Sequence, residues 1–143
     1  MDKFQGVATA KIDIQAPPAR VWDALVNPEM VKVYLYGAQI ISDWKVGSPI
    51  LYRGEWKGKP YEDKGVILAI EPGKLLKVTH YSPLSGLPDV PDNYHEVTYA
   101  VTGDGRPSTL TITQANNRDQ AEVDESTGTW TMVLGGIKTL LEK

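Results

Sequence analysis

The stretch T-W-T-M-V-L-G-G-I-K-T-L-L-E-K at residues 129–143 limits the fold more than any other part of the chain. Trp130, Val133, Leu134, Ile137, Leu140 and Leu141 recur at helical spacing. At about 100° per residue they fall on one face. Thr131, Lys138 and Glu142 fall on another. Upstream, as far as about residue 116, apolar and polar residues mostly alternate as they do in strands. A long amphipathic helix that follows a run of strands must bury its apolar face on their sheet. The sheet must be shaped to receive it.

The order of elements follows from local signals. Residues 7–15, V-A-T-A-K-I-D-I-Q, alternate as a half-buried strand with Val7, Ala8 or Ala10, Ile12 and Ile14 on one side. Pro17-Pro18 stops it, and Pro18 suits the first turn of a helix, where its missing N–H is not needed. The helix A-R-V-W-D-A-L-V groups Val21, Trp22, Leu25 and Val26. Asn27-Pro28 breaks it, and E-M-V-K-V-Y-L forms a second short helix ending near Gly37. Strands then follow one another. K-G-K at 57–59 reads as a tight hairpin, and Asp104-Gly105 as another. Between them lies a proline-rich loop, S-P-L-S-G-L-P-D-V-P-D. The polar stretch N-N-R-D-Q-A-E-V-D-E-S reads as loop or frayed turn, with Ser126 or Thr127 capping the final helix. The expected architecture is α+β: one strand, two short helices, about six antiparallel strands, then one long helix, in a single domain over residues 1–143. A strongly bent sheet and one helix need not fill the space between them, so this geometry invites a cavity.

Composition narrows the function. The 143 residues suffice for one domain with a real core. A net charge of -3, with Lys and Arg scattered, gives no nucleic-acid footprint. The absence of Cys removes thiolate metal sites and thiol nucleophiles. His80 and His95 have no spacing that suggests a zinc site. No Gly-rich phosphate loop and no serine elbow is present, so neither a cofactor nor a serine nucleophile (Ser82 or Ser85) is expected. No apolar run reaches the roughly 20 residues of a membrane span. The start, M-D-K-F-Q-G-V-A-T-A, has no apolar core behind a basic segment, so the expected location is cytoplasmic.

Four stretches carry a resemblance: I-D-I-Q-A-P-P-A-R-V-W-D-A-L (12–25), D-W-K-V-G-S-P-I (43–50), S-P-L-S-G-L-P-D-V-P-D-N-Y-H-E-V-T-Y (82–99) and W-T-M-V-L-G-G-I-K-T-L-L-E (130–142). With the element order, they make the chain similar to the START-like, or helix-grip (SRPBCC), superfamily. The branch it resembles is that of the C-terminal domain of the heat-shock-chaperone ATPase activator. The resemblance implies a curved antiparallel sheet wrapped around a long C-terminal helix, and an apolar small molecule or lipid held between them. The branch name implies a chaperone as partner.

Inward positions on the strands and helix then nominate a ligand-binding set: Trp56, Val78, His80, Tyr99, Trp130, Leu134 and Ile137. Tyr34, Tyr36 and Trp44 lie near the short helices, where they too could line a pocket or fill core. Three readings of function stand side by side. The first is a binder of apolar small molecules. The second is a protein-interaction module like the chaperone activator, with a functional surface. The third is a cyclase- or dehydratase-like enzyme, which requires His80 to point inward with a carboxylate or tyrosine in hydrogen-bond reach. No catalytic residue is nominated. Three further features have two readings each. Gly135 and Gly136 either make room for a ligand or strand, or sit in a helix that packing holds anyway. The 82–93 loop either lids the cavity or packs Leu84 and Leu87 on the sheet edge. Arg53 and Glu55 either face solvent or turn inward as a pair.

Overall fold

The computed structural model describes residues 4–143, the side chain of Trp56 excepted. Seven strands form one antiparallel sheet: β1 (Ala8–Ile14), β2 (Gln39–Ser42), β3 (Pro49–Trp56), β4 (Lys59–Glu71), β5 (Leu75–His80), β6 (His95–Thr102) and β7 (Ser108–Ala115). Their spatial order is β1-β7-β6-β5-β4-β3-β2. Consecutive strands β2 to β7 make the expected meander, and β1 closes on the last strand, with Ile12 opposite Leu110 and Ala10 opposite Ile112. Helices α1 (Pro18–Val26) and α2 (Pro28–Tyr34) follow β1, and α3 (Gln120–Leu141) follows β7. This is the α+β helix-grip arrangement.

Proline and glycine set the corners. Pro18 opens α1, and Asn27 ends it while capping α2, its side chain accepting from the Glu29 N–H at 3.0 Å. Lys57 and Gly58 both have positive φ, 52° and 79°, as a two-residue hairpin turn between β3 and β4 requires. In β1 the inward residues are Ala8, Ala10 and Ile14, whereas Val7 precedes the strand and is about half exposed, at 49%.

The sheet owes its curvature to β4. Its first half pairs with β3 and its second half with β5, and the register slips between Ile67 and Ala69. Such a bulge bends a strand and increases its twist. At the bend, Gly65 passes so close to β5 that a Cβ there would lie 1.7 Å from the Thr79 carbonyl oxygen. The backbones of Lys64 and Tyr81 exchange hydrogen bonds of 3.0 and 2.8 Å beside it.

The final helix starts seven or eight residues earlier than the sequence suggests. Asp119, not Ser126 or Thr127, is its N-cap, accepting from the Glu122 N–H at 2.9 Å. Glu122 in turn accepts from the Arg118 N–H at 2.7 Å. Asp119 thus satisfies one donor that the helix start leaves free, and Glu122 fixes the residue that leads into it. Val123 anchors the added turn in the core. At the other end, Lys138 donates to the Asp13 carbonyl at 2.9 Å, and Glu142 accepts from the Gln15 N–H at 2.8 Å. Both contacts tie the helix to the end of β1.

The two mid-helix glycines differ. A Cβ on Gly136 would sit 3.3 Å from the Tyr34 Cβ, so this glycine lets α2 approach α3 closely. Nothing lies within 4 Å of a Cβ on Gly135. Gly135→Ala is therefore expected to stabilise the protein by about 0.5–1 kcal/mol, seen as a higher urea midpoint. A lower midpoint would contradict the open space found there.

Candidate functional site

Helix α3 packs on β1 and β7 and against α1 and α2. The bent part of the sheet curves away beneath it and leaves a cavity of about 430 Å³. Register explains which side chains meet there. Leu76 stands opposite Tyr99, and Val78 opposite Val97, all four facing the helix. Tyr52 stands opposite Asp63 on the β3–β4 hairpin. The helix contributes Ser126, Trp130, Val133 and Ile137, spaced by three or four residues along one line. Val31, Tyr34 and Leu35 close the α2 side. Tyr36, Glu55, Thr129 and Met132 also line the cavity but are solvent-exposed. They mark its mouth, between the segment after α2, the β3–β4 hairpin and the outer flank of α3.

The walls are mainly apolar, and their polar groups fall in two clusters. In one, the Trp130 indole N–H donates to Gln114 Oε1 at 2.9 Å. The Gln114 amide donates to Asn117 Oδ1 at 2.9 Å and to Ser126 Oγ at 2.8 Å. Tyr99 meets the Trp130 ring edge-on at 5.9 Å. This network fixes α3 over β7 and leaves its amides already partnered. In the other cluster, His80 Nε2 lies 3.0 Å from Asp63 Oδ2, and Tyr52 meets the imidazole edge-on at 5.9 Å. Asp63 Oδ1 is buried without a hydrogen-bond partner, the one such side-chain atom among the described residues. His80 thus lines the cavity beside a carboxylate, the arrangement that an acid–base reading of the site requires.

Three tyrosines deepen the pocket. Tyr34 donates to the Ala24 carbonyl at 2.8 Å. Burial, then the neighbouring Tyr99 hydroxyl, holds its pKa far above the ordinary tyrosine range. Tyr52 is raised for the same first reason, with Tyr99, Tyr34 and Asp63 adding to the rise. Burial pushes Tyr99 up to about 12, opposed in part by Tyr52. All three are neutral near neutral pH. Tyr52 and Tyr99 lie deep in the molecule yet keep uncovered surface, which faces the cavity. A group with a raised folded pKa contributes stability that is complete below its unfolded value and lost as pH rises through the folded one. Between pH 10.0 and about 12, the range set by Tyr99, stability is therefore expected to fall. Absorbance at an alkaline tyrosine band should show these phenols ionising only with unfolding. Ionisation of every tyrosine in the folded state would contradict their burial.

The structure brings Val78, His80, Tyr99, Trp130 and Ile137 together on the cavity wall. Leu134 is not part of that wall. It is 1% exposed and packs into the main core, at the edge of the helical face about 100° round from Val133. The side chain of Trp56 lies outside the described residues. Trp44 packs against the core rather than the cavity, while Tyr34 and Tyr36 do line it. Tyr52, Asp63 and Gln114 were not nominated from the sequence. The alternation Ile50-Tyr52-Gly54 and the K-G-K hairpin carried the signal for the first two.

The remaining candidates have other roles. His95 pairs with Glu122 at 3.2 Å, at the start of α3. Arg53 bonds Glu62 across the β3–β4 hairpin at 2.6 Å in solvent, and Glu55 is exposed at the mouth. Residues 82–93 contribute nothing to the cavity wall. The loop is held by its own contacts: Tyr81 stacks on Tyr94 at 5.2 Å, Tyr81 donates to the Leu87 carbonyl at 2.6 Å, and Lys64 pairs with Asp89. Leu84 is exposed, so the loop does not pack by that residue. The Ser82 and Ser85 hydroxyls accept turn hydrogen bonds from Leu84 and Leu87, both at 3.2 Å.

Comparison with known proteins gives this architecture a family. A family model described as "Activator of Hsp90 ATPase homolog 1-like protein" matches residues 15–142. ChR145 from Cytophaga hutchinsonii is 45% identical, with a TM-score of 0.86 over 99% of this chain and 97% of its own. The Aha1 dimer from Colwellia psychrerythraea shares the fold at 18% identity and a TM-score of 0.74, over 96% of either chain. CalU16 from Micromonospora echinospora shares it at 17% identity and a TM-score of 0.72, over 98% of this chain and 84% of its own. No curated protein matches the chain. On the family match and the helix-grip fold together, the chain belongs to the Activator of Hsp90 ATPase homolog 1-like family, within the START-like superfamily.

Proposed function

We propose that this protein binds a small, mainly apolar molecule in the cavity between α3 and the bent half of the sheet. The observation that carries this reading is the cavity of about 430 Å³ itself. It has apolar walls and a few fixed polar side chains, the usual make-up of a ligand site. A ligand that buried about 300 Å² of apolar surface would gain roughly 7 kcal/mol before the losses of ordering. Trp130, Tyr99 and Val133 supply contact area, and the Asp63–His80 pair supplies orientation.

Native mass spectrometry of the purified protein, with an organic extract of the same sample, tests the proposal. A retained apolar compound supports it. Val133→Phe enlarges a half-buried residue of the cavity wall, so retention of that compound is expected to fall at least about tenfold in protein that circular dichroism shows to be folded. Undiminished retention in a folded variant would place the ligand elsewhere.

A second reading rests on the outer surface. Val33, Tyr36 and Met132 are exposed, at 59%, 81% and 58%, around a groove between α2 and α3. Together with the family match, this apolar surface suits a protein partner such as a chaperone ATPase. Stimulation of the ATPase by wild type and its loss in Met132→Glu would favour this reading over the cavity.

A further inference from the structure

We infer that the cavity selects neutral apolar molecules carrying a hydroxyl donor, an alcohol or phenol, and rejects carboxylates such as fatty acids. The inference rests on the cavity reading above and names the class of its ligand.

The charges come first. Among the described residues that line the cavity there is no lysine or arginine, whereas Glu55 and Glu125 stand at the wall and Asp63 lies within. A carboxylate entering this site would lose its hydration and find no cation. It would also meet charge of its own sign.

The unmet hydrogen bonds give the second argument. His80 Nε2 is engaged by Asp63 Oδ2 at 3.0 Å. With Asp63 ionised, Nε2 carries the proton. In neutral His80 the remaining nitrogen, Nδ1, is then an acceptor, and it has no protein partner among the described residues. The imidazole lines the cavity and keeps 31% of its side-chain surface. Asp63 Oδ1 also lacks a donor. Oδ1 is buried out of a ligand's reach, so the dyad offers the cavity one acceptor, His80 Nδ1, and no free donor. Of the other polar groups, Tyr34 gives its proton to Ala24, Trp130 gives its proton to Gln114, and the Gln114 amide is shared between Asn117 and Ser126, while the Tyr52 and Tyr99 hydroxyls, which also line the wall, bond to each other. A ligand hydroxyl supplies the missing donor, and its carbon skeleton covers the apolar wall.

The test uses three probes with one ring system: 2-naphthol, 2-methoxynaphthalene and 2-naphthoate. Binding to the full chain is measured by equilibrium dialysis at pH 8. 2-Naphthol is expected to bind about tenfold or more tightly than the ether that lacks its donor, and the carboxylate more weakly than either. His80→Phe keeps a ring in place and removes the acceptor. In that variant the ether should bind about as well as in wild type, and the preference for naphthol should vanish. Equal binding of naphthol and ether, tightest binding of naphthoate, or an unchanged preference in His80→Phe would overturn the inference while leaving the cavity reading intact. Failure of all three probes to bind would overturn both.

Discussion

Gly65→Ala is expected to cost at least about 3 kcal/mol of stability, more than overpacking a side chain usually costs. The reason lies in the obstacle. A Cβ at this position would sit 1.7 Å from the carbonyl oxygen of Thr79, a backbone atom with no rotamer to change. Relief requires β4 and β5 to separate. That would strain the paired hydrogen bonds of Lys64 and Tyr81 and the bond from the Val66 N–H to Thr79 Oγ1 at 2.9 Å. For a domain of this size the loss corresponds to a fall in Tm on the order of 10 °C. Urea and thermal unfolding would measure it. A change below about 1 kcal/mol would mean that the bend of β4 is soft, and that the cavity beneath it is not held by a fixed sheet.

Leu134→Ala is expected to cost about 2–5 kcal/mol, as truncation of a fully buried leucine does. Leu134 is 1% exposed and belongs to the same buried cluster as Ile14, Val21 and Leu110. Its neighbour Val133 is half-buried and lines the cavity. The two substitutions should therefore separate. Leu134→Ala lowers the urea midpoint and leaves ligand preference as it was. Val133→Ala leaves the midpoint within about 1 kcal/mol and weakens the ligand. If Leu134→Ala altered ligand preference in folded protein, the residue would belong to the cavity after all.

The sequence makes the architecture legible because every strand but β7 is followed within a few residues by Pro or Gly, Asn27-Pro28 separates the two short helices, and most inward faces keep their period. Where it falls short, the missing information is non-local. Leu134 and Val133 are both apolar and lie about 100° apart on the helical wheel, at positions the sequence assigns to one broad apolar face. Which of them meets the core depends on the roll of α3 over β1, and that is set by contacts more than a hundred residues away, such as Lys138 with Asp13. The early start of α3 was written locally, in Asp119 and Glu122. It was masked by the polar run around them, which has only Val123 to bury. Nothing in the local sequence singles out Asp63. Only the register of the hairpin, which places it opposite Tyr52, turns it inward. The 82–93 loop was undecided from sequence because its proline spacing says that it is stiff, not what it stiffens against. Tyr81, Tyr94 and Asp89 answer that within the loop and its flanks.

The pairing of β1 with β7, and the seat of α3 on β1, have a kinetic consequence. Hairpins from β2 to β7 join neighbours in sequence and can form early. The first strand can be placed only once β7 exists, and the last helix, held locally to β7 through Gln114, gains the larger part of its seat only when β1 is in place. Such distant contacts carry the largest loop-closure entropy and come late in folding. The roof of the cavity is therefore the last part of the molecule to close. Until it does, the apolar concave face of the sheet is open to water. A molecule that fits beneath α3 would act on this final step, slowing its reversal and holding the two distant ends of the chain together.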